Sequence, residues 1–152
     1  MKHVAVRQAV LADLDQIASV FDQYRQFQGK PPDLEACRAF LHDRFDHGES
    51  IVFLATADGH PAGLAQLYPS YSSTALARVF ILNDLFVTQA GRRLGVASEL
   101  LKAVENYAWQ FGACRVSLNV LQSNIPAQDF YRARGWVQDS EFFMFHRFPP
   151  TA

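Results

Sequence analysis

The spacing of apolar and polar residues changes period several times along the chain, and each change predicts an element. Val4 and Val6 open with the alternation of a strand. Asp13-Leu14-Asp15-Gln16 then offers a helix N-cap with Gln three residues on, a capping-box pattern. Leu14, Ile17, Phe21 and Tyr24 recur at steps of three and four, one stripe of a helix that fades near Gly29 and breaks at Lys30-Pro31-Pro32. Asp33 can cap a second helix with the stripe Leu34, Cys37, Leu41 and Phe45, ending at Gly48. Ile51 to Ala57 and Ala62 to Tyr68, joined by Asp58-Gly59-His60-Pro61, predict a hairpin. A β-rich run from Arg78 to Val87 follows, and the polar pair Asn83-Asp84 inside it suggests a bulge. From Leu94 the stripe Leu94, Ala97, Leu101, Val104, Ala108 and Phe111 is the strongest helical signal in the chain. Arg115 to Val120 reads as a strand, Ser123 to Arg134 as a short helix closed by Gly135, and Glu141 to Phe148 as a last apolar strand, with a short extra strand around Val137.

The order is β-α-α-β-β-β-α-β-α-β. It predicts an α/β (α+β) fold with a mixed, mostly antiparallel central sheet of six to seven strands flanked by about four helices. The first three sheet connections are expected to be hairpin-like and the later ones helical. At 152 residues, 49% hydrophobic and 19% charged, the chain has the size and core material of one domain, residues 1–152. No apolar run reaches the roughly 20 residues that span a bilayer, and the N-terminal stretch lacks a signal peptide's apolar core. Cys37 and Cys114 have no partner spacing, as expected of two reduced thiols. A cytoplasmic protein without a membrane partner is expected.

Net charge of -1 argues against a general nucleic-acid or polyanion binder. The total conceals an asymmetry: six basic and nine acidic residues in 1–76, eight and six in 77–152. A bound anion is expected in the second half. The five histidines have no metal-ligand spacing; His42 and His47 lie five apart, off one helical face. No metal is expected.

The sharpest chemistry sits at Leu85-Phe86-Val87-Thr88-Gln89-Ala90-Gly91-Arg92-Arg93-Leu94-Gly95-Val96-Ala97, where a strand ends and the long helix begins. The first turn of a helix presents unpartnered N–H groups and the positive end of its dipole. Gly95 and Ala97 let a ligand approach, and Arg92 and Arg93 add charged donors, so the junction favours a pyrophosphate. It is not a P-loop, because Ala97-Ser98 stands where Lys-[Ser/Thr] is required. It is not a dinucleotide fingerprint either, which belongs to the first strand of a doubly wound sheet.

Arg92-Arg93-Leu94-Gly95-Val96-Ala97 resembles the R/Q-x-x-G-x-G/A signature of the GNAT superfamily of N-acetyltransferases, and Asp84-Leu85-Phe86-Val87 resembles the strand that precedes it. Asn124 to Trp136, with Ala127, Phe130-Tyr131 and Gly135-Trp136, resembles the family's later element. Within the superfamily, Leu82 to Val87 and the Tyr131 helix look most like the diamine (spermidine/spermine) and thialysine acetyltransferase branch. Where that branch often carries Glu before the Asp, this chain has Asn83.

The resemblance implies acetyl-CoA as co-substrate. Leu85, Phe86 and Val87 would offer backbone groups to the pantetheine and the thioester carbonyl, and Arg92, Arg93, Leu94, Gly95, Val96 and Ala97 would hold the pyrophosphate. Asn124 suits either a helix cap or a pantetheine contact. Tyr131 is the expected acid for the departing thiolate, since a phenol near pKa 10 stays protonated at neutral pH. An alkylammonium must lose a proton before it attacks; Asp84 is the candidate base, with Asn83 beside it, although Asp84 could equally serve local backbone donors. Tyr24, Phe27 and Tyr68 are candidate walls of an acceptor pocket, and Phe130 is expected in the core. The implied activity is acetyl transfer to a primary amine of a small molecule, polyamine or amino-acid-like. A protein or peptide acetyltransferase and a non-catalytic acyl-CoA-binding module are the competing readings. An apolar last strand and open sheet edges would suit a homodimer.

Overall fold

The computed structural model describes residues 2–151, and the chain divides into two compact units, Met1–Leu118 and Asn119–Ala152. In the first, β1 (Val4–Gln8), α1 (Leu14–Phe27), α2 (Leu34–Asp46), β2 (Ile51–Ala57), β3 (His60–Ser72), β4 (Ala77–Val87), α3 (Val96–Gln110) and β5 (Arg115–Ser117) follow one another. The sheet order is β1-β2-β3-β4-β5. Every pair is antiparallel except β4 and β5, whose parallel pairing requires the crossover that α3 supplies. The fold class is therefore the expected mixed, mostly antiparallel α/β arrangement, with five strands among the described residues rather than six to seven. Its first connection is not hairpin-like: α1 and α2 lie between β1 and β2.

The helices start where local chemistry lets them. Asp33 accepts a hydrogen bond from the Ala36 N–H at 3.0 Å and caps α2 as expected. Asp13 occupies the N-cap position of α1 but makes no side-chain cap bond. Its carboxylate instead takes two 2.7 Å bonds from Arg7 and one of 2.8 Å from the Val10 N–H. That pairing holds its pKa down at about 2. Helix α3 begins at Val96, two residues later than its stripe suggested, because Gly95 sits in the left-handed region at φ 77°. The buried face is accordingly Val96, Leu100, Leu101, Val104 and Ala108.

Strands β3 and β4 carry the feature that organises the site. Gln66 opposes Asp84 and Leu67 opposes Leu82, so Asn83 is the extra residue of the expected β-bulge. Side chains alternate between faces, and one inserted residue exchanges those faces for everything beyond it. Phe80, before the bulge, meets the Tyr107 ring of α3 at 5.6 Å. Phe86, after it, meets the Tyr24 ring of α1, also at 5.6 Å. In a strand that alternated regularly through Asn83, both of these even-numbered residues would point the same way.

Two apolar layers cover the sheet. One joins β2, β3 and β4 to α1 and α2 through Leu14, Ile17, Val20, Phe21, Leu41, Leu54, Leu64 and Phe86. The other packs α3 so closely that a Cβ on Gly63 would lie 2.6 Å from the Phe86 carbonyl oxygen and 3.1 Å from Val96 Cγ1. Each fully buried Leu or Ile contributes roughly 1.5–3 kcal/mol.

In the second unit, α4 (Ile125–Arg132) is capped by Asn124, whose side chain accepts from the Ala127 N–H at 3.2 Å. Residues 136–151 form neither helix nor strand, so the strands expected at Glu141 to Phe148 and around Val137 are corrected. Phe142, Phe143, Met144, Phe145 and Phe148 are exposed. Apolar content alone does not make a strand, which needs a ladder partner to satisfy its backbone. Among the described residues no helix is long and apolar enough to cross a membrane.

Candidate active site

The bulge turns Asp84 toward α1 and buries its carboxylate to 6% exposure, among neutral donors. Gln66 Nε2 donates to Asp84 Oδ2 at 2.8 Å, and Asn83 Nδ2 donates to both carboxylate oxygens at 3.3 Å. The Tyr24 hydroxyl supplies a further hydrogen bond. Burial raises the Asp84 pKa above the ordinary carboxylate range, while the Gln66, Asn83 and Tyr24 bonds pull it back. The Tyr68 hydroxyl is pushed up to about 12 by burial and then by the Asp84 charge, with Arg44 opposing. A buried carboxyl group whose pKa is raised, with a protonated phenol nearby, can exchange a proton with an amine.

The strand continues from Asp84 through Leu85, Phe86 and Val87 to the α3 junction. Strand β5 pairs only with Val79, Phe80 and Ile81, so among the described residues 82–87 have no strand partner on that edge. Their outward backbone groups can therefore take an extended ligand as an added strand. Thr88 fixes the turn: its N–H donates to the Ala62 carbonyl at 2.8 Å, and its hydroxyl accepts from the Gly91 N–H at 3.2 Å. Arg93 is held in the left-handed region at φ 64°, a strain of about 1–3 kcal/mol that concentrates at functional sites. No side chain caps the first turn of α3. The free N–H groups of Val96 and Ala97, flanked by Arg92, Arg93 and the left-handed Gly95, form a donor set that fits a diphosphate. The Arg92 guanidinium lies 5.5 Å from the Phe27 ring centroid, and Phe27 in turn lies 6.0 Å from Phe86. An aromatic bridge thus joins the basic loop to the acidic cluster.

In the second unit, Tyr131 stacks at a tilt on Trp136, centroids 5.7 Å apart, and edge-on to Phe130 at 5.3 Å. Burial pushes its hydroxyl up to about 12, so the phenol is protonated throughout the neutral range. Phe130 is half-buried rather than core, with the Arg134 guanidinium 3.8 Å over its ring. Asn124 acts as the helix cap.

The structure brings Tyr24, Asn83 and Asp84 together and sets Tyr68 within electrostatic reach. Phe27 belongs to the bridge rather than to the cluster. Gln66 is the member that sequence reading missed. A polar residue amid the apolar run Ala62 to Leu67 was the available signal, and only the register across the bulge shows its partner. Among the described residues, no three His, Cys, Asp or Glu side chains converge on a metal-like site.

Comparison with known proteins gives a consistent neighbourhood. Residues 14–136 match the model of the acetyltransferase (GNAT) family. An uncharacterized N-acetyltransferase, YhfO, of Bacillus subtilis is 39% identical over 137 residues, covering 90% of this chain and 92% of that protein. The thialysine N-epsilon-acetyltransferase of Bos taurus is 29% identical over 146 residues, covering 89% and 85% respectively. The crystal structure of a probable acetyltransferase superposes with a TM-score of 0.89 at 37% identity, covering 97% of this chain and 99% of that one.

Proposed function

The chain belongs to the acetyltransferase (GNAT) family as an N-acetyltransferase, and on that premise we propose that it moves an acetyl group from acetyl-CoA to the primary amine of a small cationic acceptor. The observation that carries the acceptor class is the buried Asp84 carboxylate, whose hydrogen-bond donors Gln66, Asn83 and Tyr24 are all neutral. A carboxylate so placed is best matched by a cation that arrives with the substrate. In this reading the whole chain, residues 1–152, acts as one catalytic domain.

Acetyl-CoA, when bound, supplies an activated thioester carbonyl. Arg92, Arg93 and the N–H groups from Gly95 to Ala97 would hold its diphosphate, and the backbone of Leu85, Phe86 and Val87 its pantetheine arm. Asp84 takes the proton from the acceptor's ammonium, a group near pKa 10.4 that is unreactive while charged. Its raised pKa narrows the gap that this transfer must cross. A donor N–H from the Leu85 to Val87 backbone stabilises negative charge developing on the carbonyl oxygen. The Tyr131 hydroxyl gives a proton to the departing sulfur. With its pKa near 12, it is present in the donating form at every pH where the amine can be deprotonated by Asp84.

Release of the CoA thiol by purified protein, acetyl-CoA and a panel of diamines, basic amino acids and peptides tests this reading. Turnover with small primary amines is expected. Turnover with peptides alone, or CoA binding with no turnover on any acceptor, would overturn it.

A further inference from the structure

Gln66 is fully buried at 0% exposure, yet its Oε1 accepts no hydrogen bond. A buried amide oxygen left unpaired is uncommon and energetically disfavoured. The amide orientation is fixed by chemistry, because turning it over would set Oε1 against the Asp84 carboxylate, two acceptors face to face. Nε2 is committed to Asp84 Oδ2 at 2.8 Å, so Oε1 must project away from that bond. Asp84 is 6% exposed, and Asn83, the residue before it, is exposed.

We infer that Gln66 Oε1 is a second acceptor for the reacting nitrogen, and that Gln66 and Asp84 together make the site selective for primary amines. The inference rests on the acetyl-transfer reading above and adds a specificity-determining residue to it. Once an ammonium has given one proton to Asp84, the neutral primary amine keeps two N–H bonds and one lone pair. One N–H is held by Gln66 Oε1 and the other by an oxygen of the Asp84 carboxyl group. The lone pair is then left pointing away from both, which is the orientation that attack requires. A secondary amine has one N–H after deprotonation and leaves one of the two acceptors without a partner. Sites built around such a bond reject analogues that lack it.

The test compares kcat/KM for a primary amine turned over by the wild-type enzyme and for its N-methyl analogue, in the wild type and in Gln66→Met. Methionine fills a similar volume without acceptor or donor, and Asp84 keeps its Asn83 and Tyr24 donors. The wild type should prefer the primary amine by about 10-fold or more. In Gln66→Met the primary amine should lose about 10- to 100-fold, chiefly through acceptor KM, while the N-methyl analogue changes little and the preference collapses. CoA affinity should stay at the wild-type value. Gln66→Glu should retain the preference, because two adjacent carboxyl groups share a proton and reproduce the donor toward Asp84 and the free carbonyl oxygen. If Gln66→Met loses CoA binding through misfolding, Gln66→Leu is read in the same comparison. A preserved preference in the folded apolar variant, or equal losses on both amines, overturns the inference and leaves acetyl transfer standing. Absence of turnover by the wild type on any amine overturns the underlying function instead.

Discussion

On the α3 side of the β3–β4 pair, Gly63 closes against Val96 and Leu100, and Phe80 meets Tyr107 edge-on. On the α1–α2 side the same two strands present Leu64, Gln66, Asp84 and Phe86, a mixture of core and buried polar groups. The first surface is close apolar packing. The second holds a carboxylate with a raised pKa and an amide oxygen without a partner. Closeness of packing protects the fold on one side, and incomplete satisfaction reserves binding capacity on the other.

The strongest challenge to that contrast is Asp84→Leu. Turnover should fall by about 10²- to 10⁴-fold, as for loss of a general base, while unfolding free energy holds or rises because a buried carboxylate is replaced by apolar volume. Denaturation and steady-state rates measured together decide it; a large loss of stability would make Asp84 a structural residue. In the wild type, the acid limb of kcat/KM should lie above the ordinary carboxylate range. Asp84 must be ionised to accept a proton, its pKa is raised, and the rate should fall as pH drops through that raised value. Leu100→Ala should do the reverse, lowering stability by about 2–5 kcal/mol with kcat/KM per folded molecule retained; chemical denaturation reports the first and an active-site-normalised rate the second. Tyr131→Phe is expected to lower kcat about 10²-fold without a change in melting temperature, and an unchanged rate would remove the tyrosine from the mechanism. The smallest effect concerns neither face. The Asp13 pKa is lowered from 3.8 to about 2 by Arg7, so this pair contributes stability above pH 4 that is lost as pH falls toward 2. Arg7 is largely exposed, and a modest, salt-sensitive difference between wild type and Arg7→Met in that window is the expected result.

Much of the framework was legible from periodicity. The stripes of α1 and α2, the β2 strand and the bulge at Asn83 all stand where residue spacing put them. Misses occurred where backbone geometry or a distant partner decides. Strand β3 continues to Ser72 because Ser70, Tyr71 and Ser72 pair with Val79, Arg78 and Ala77, and a ladder does not depend on apolar side chains. Gly95 delays α3 through a left-handed φ that no stripe encodes. Asp13 looks like a cap until Arg7 claims it. At the site, a strand-to-helix junction with two arginines is local and therefore visible. Gln66 lies 18 residues from Asp84 in sequence, and its role depends on a register that the letters do not display.

Asn83 can also be regarded as a parity device. Because Asn83 is left out of the alternation, Asp84 and Phe86 face away from Phe80 and Leu82; drawn into a regular ladder, the same residue would turn both the other way. Deleting Asn83 would make Leu82 and Asp84 consecutive in a regular strand, still on opposite faces, so the carboxylate would stay toward α1 and lose the Asn83 donor. Homologous chains can vary in the length of the β3–β4 turn and can even lose the bulged residue, provided that the Leu82 and Asp84 positions stay on opposite faces of β4.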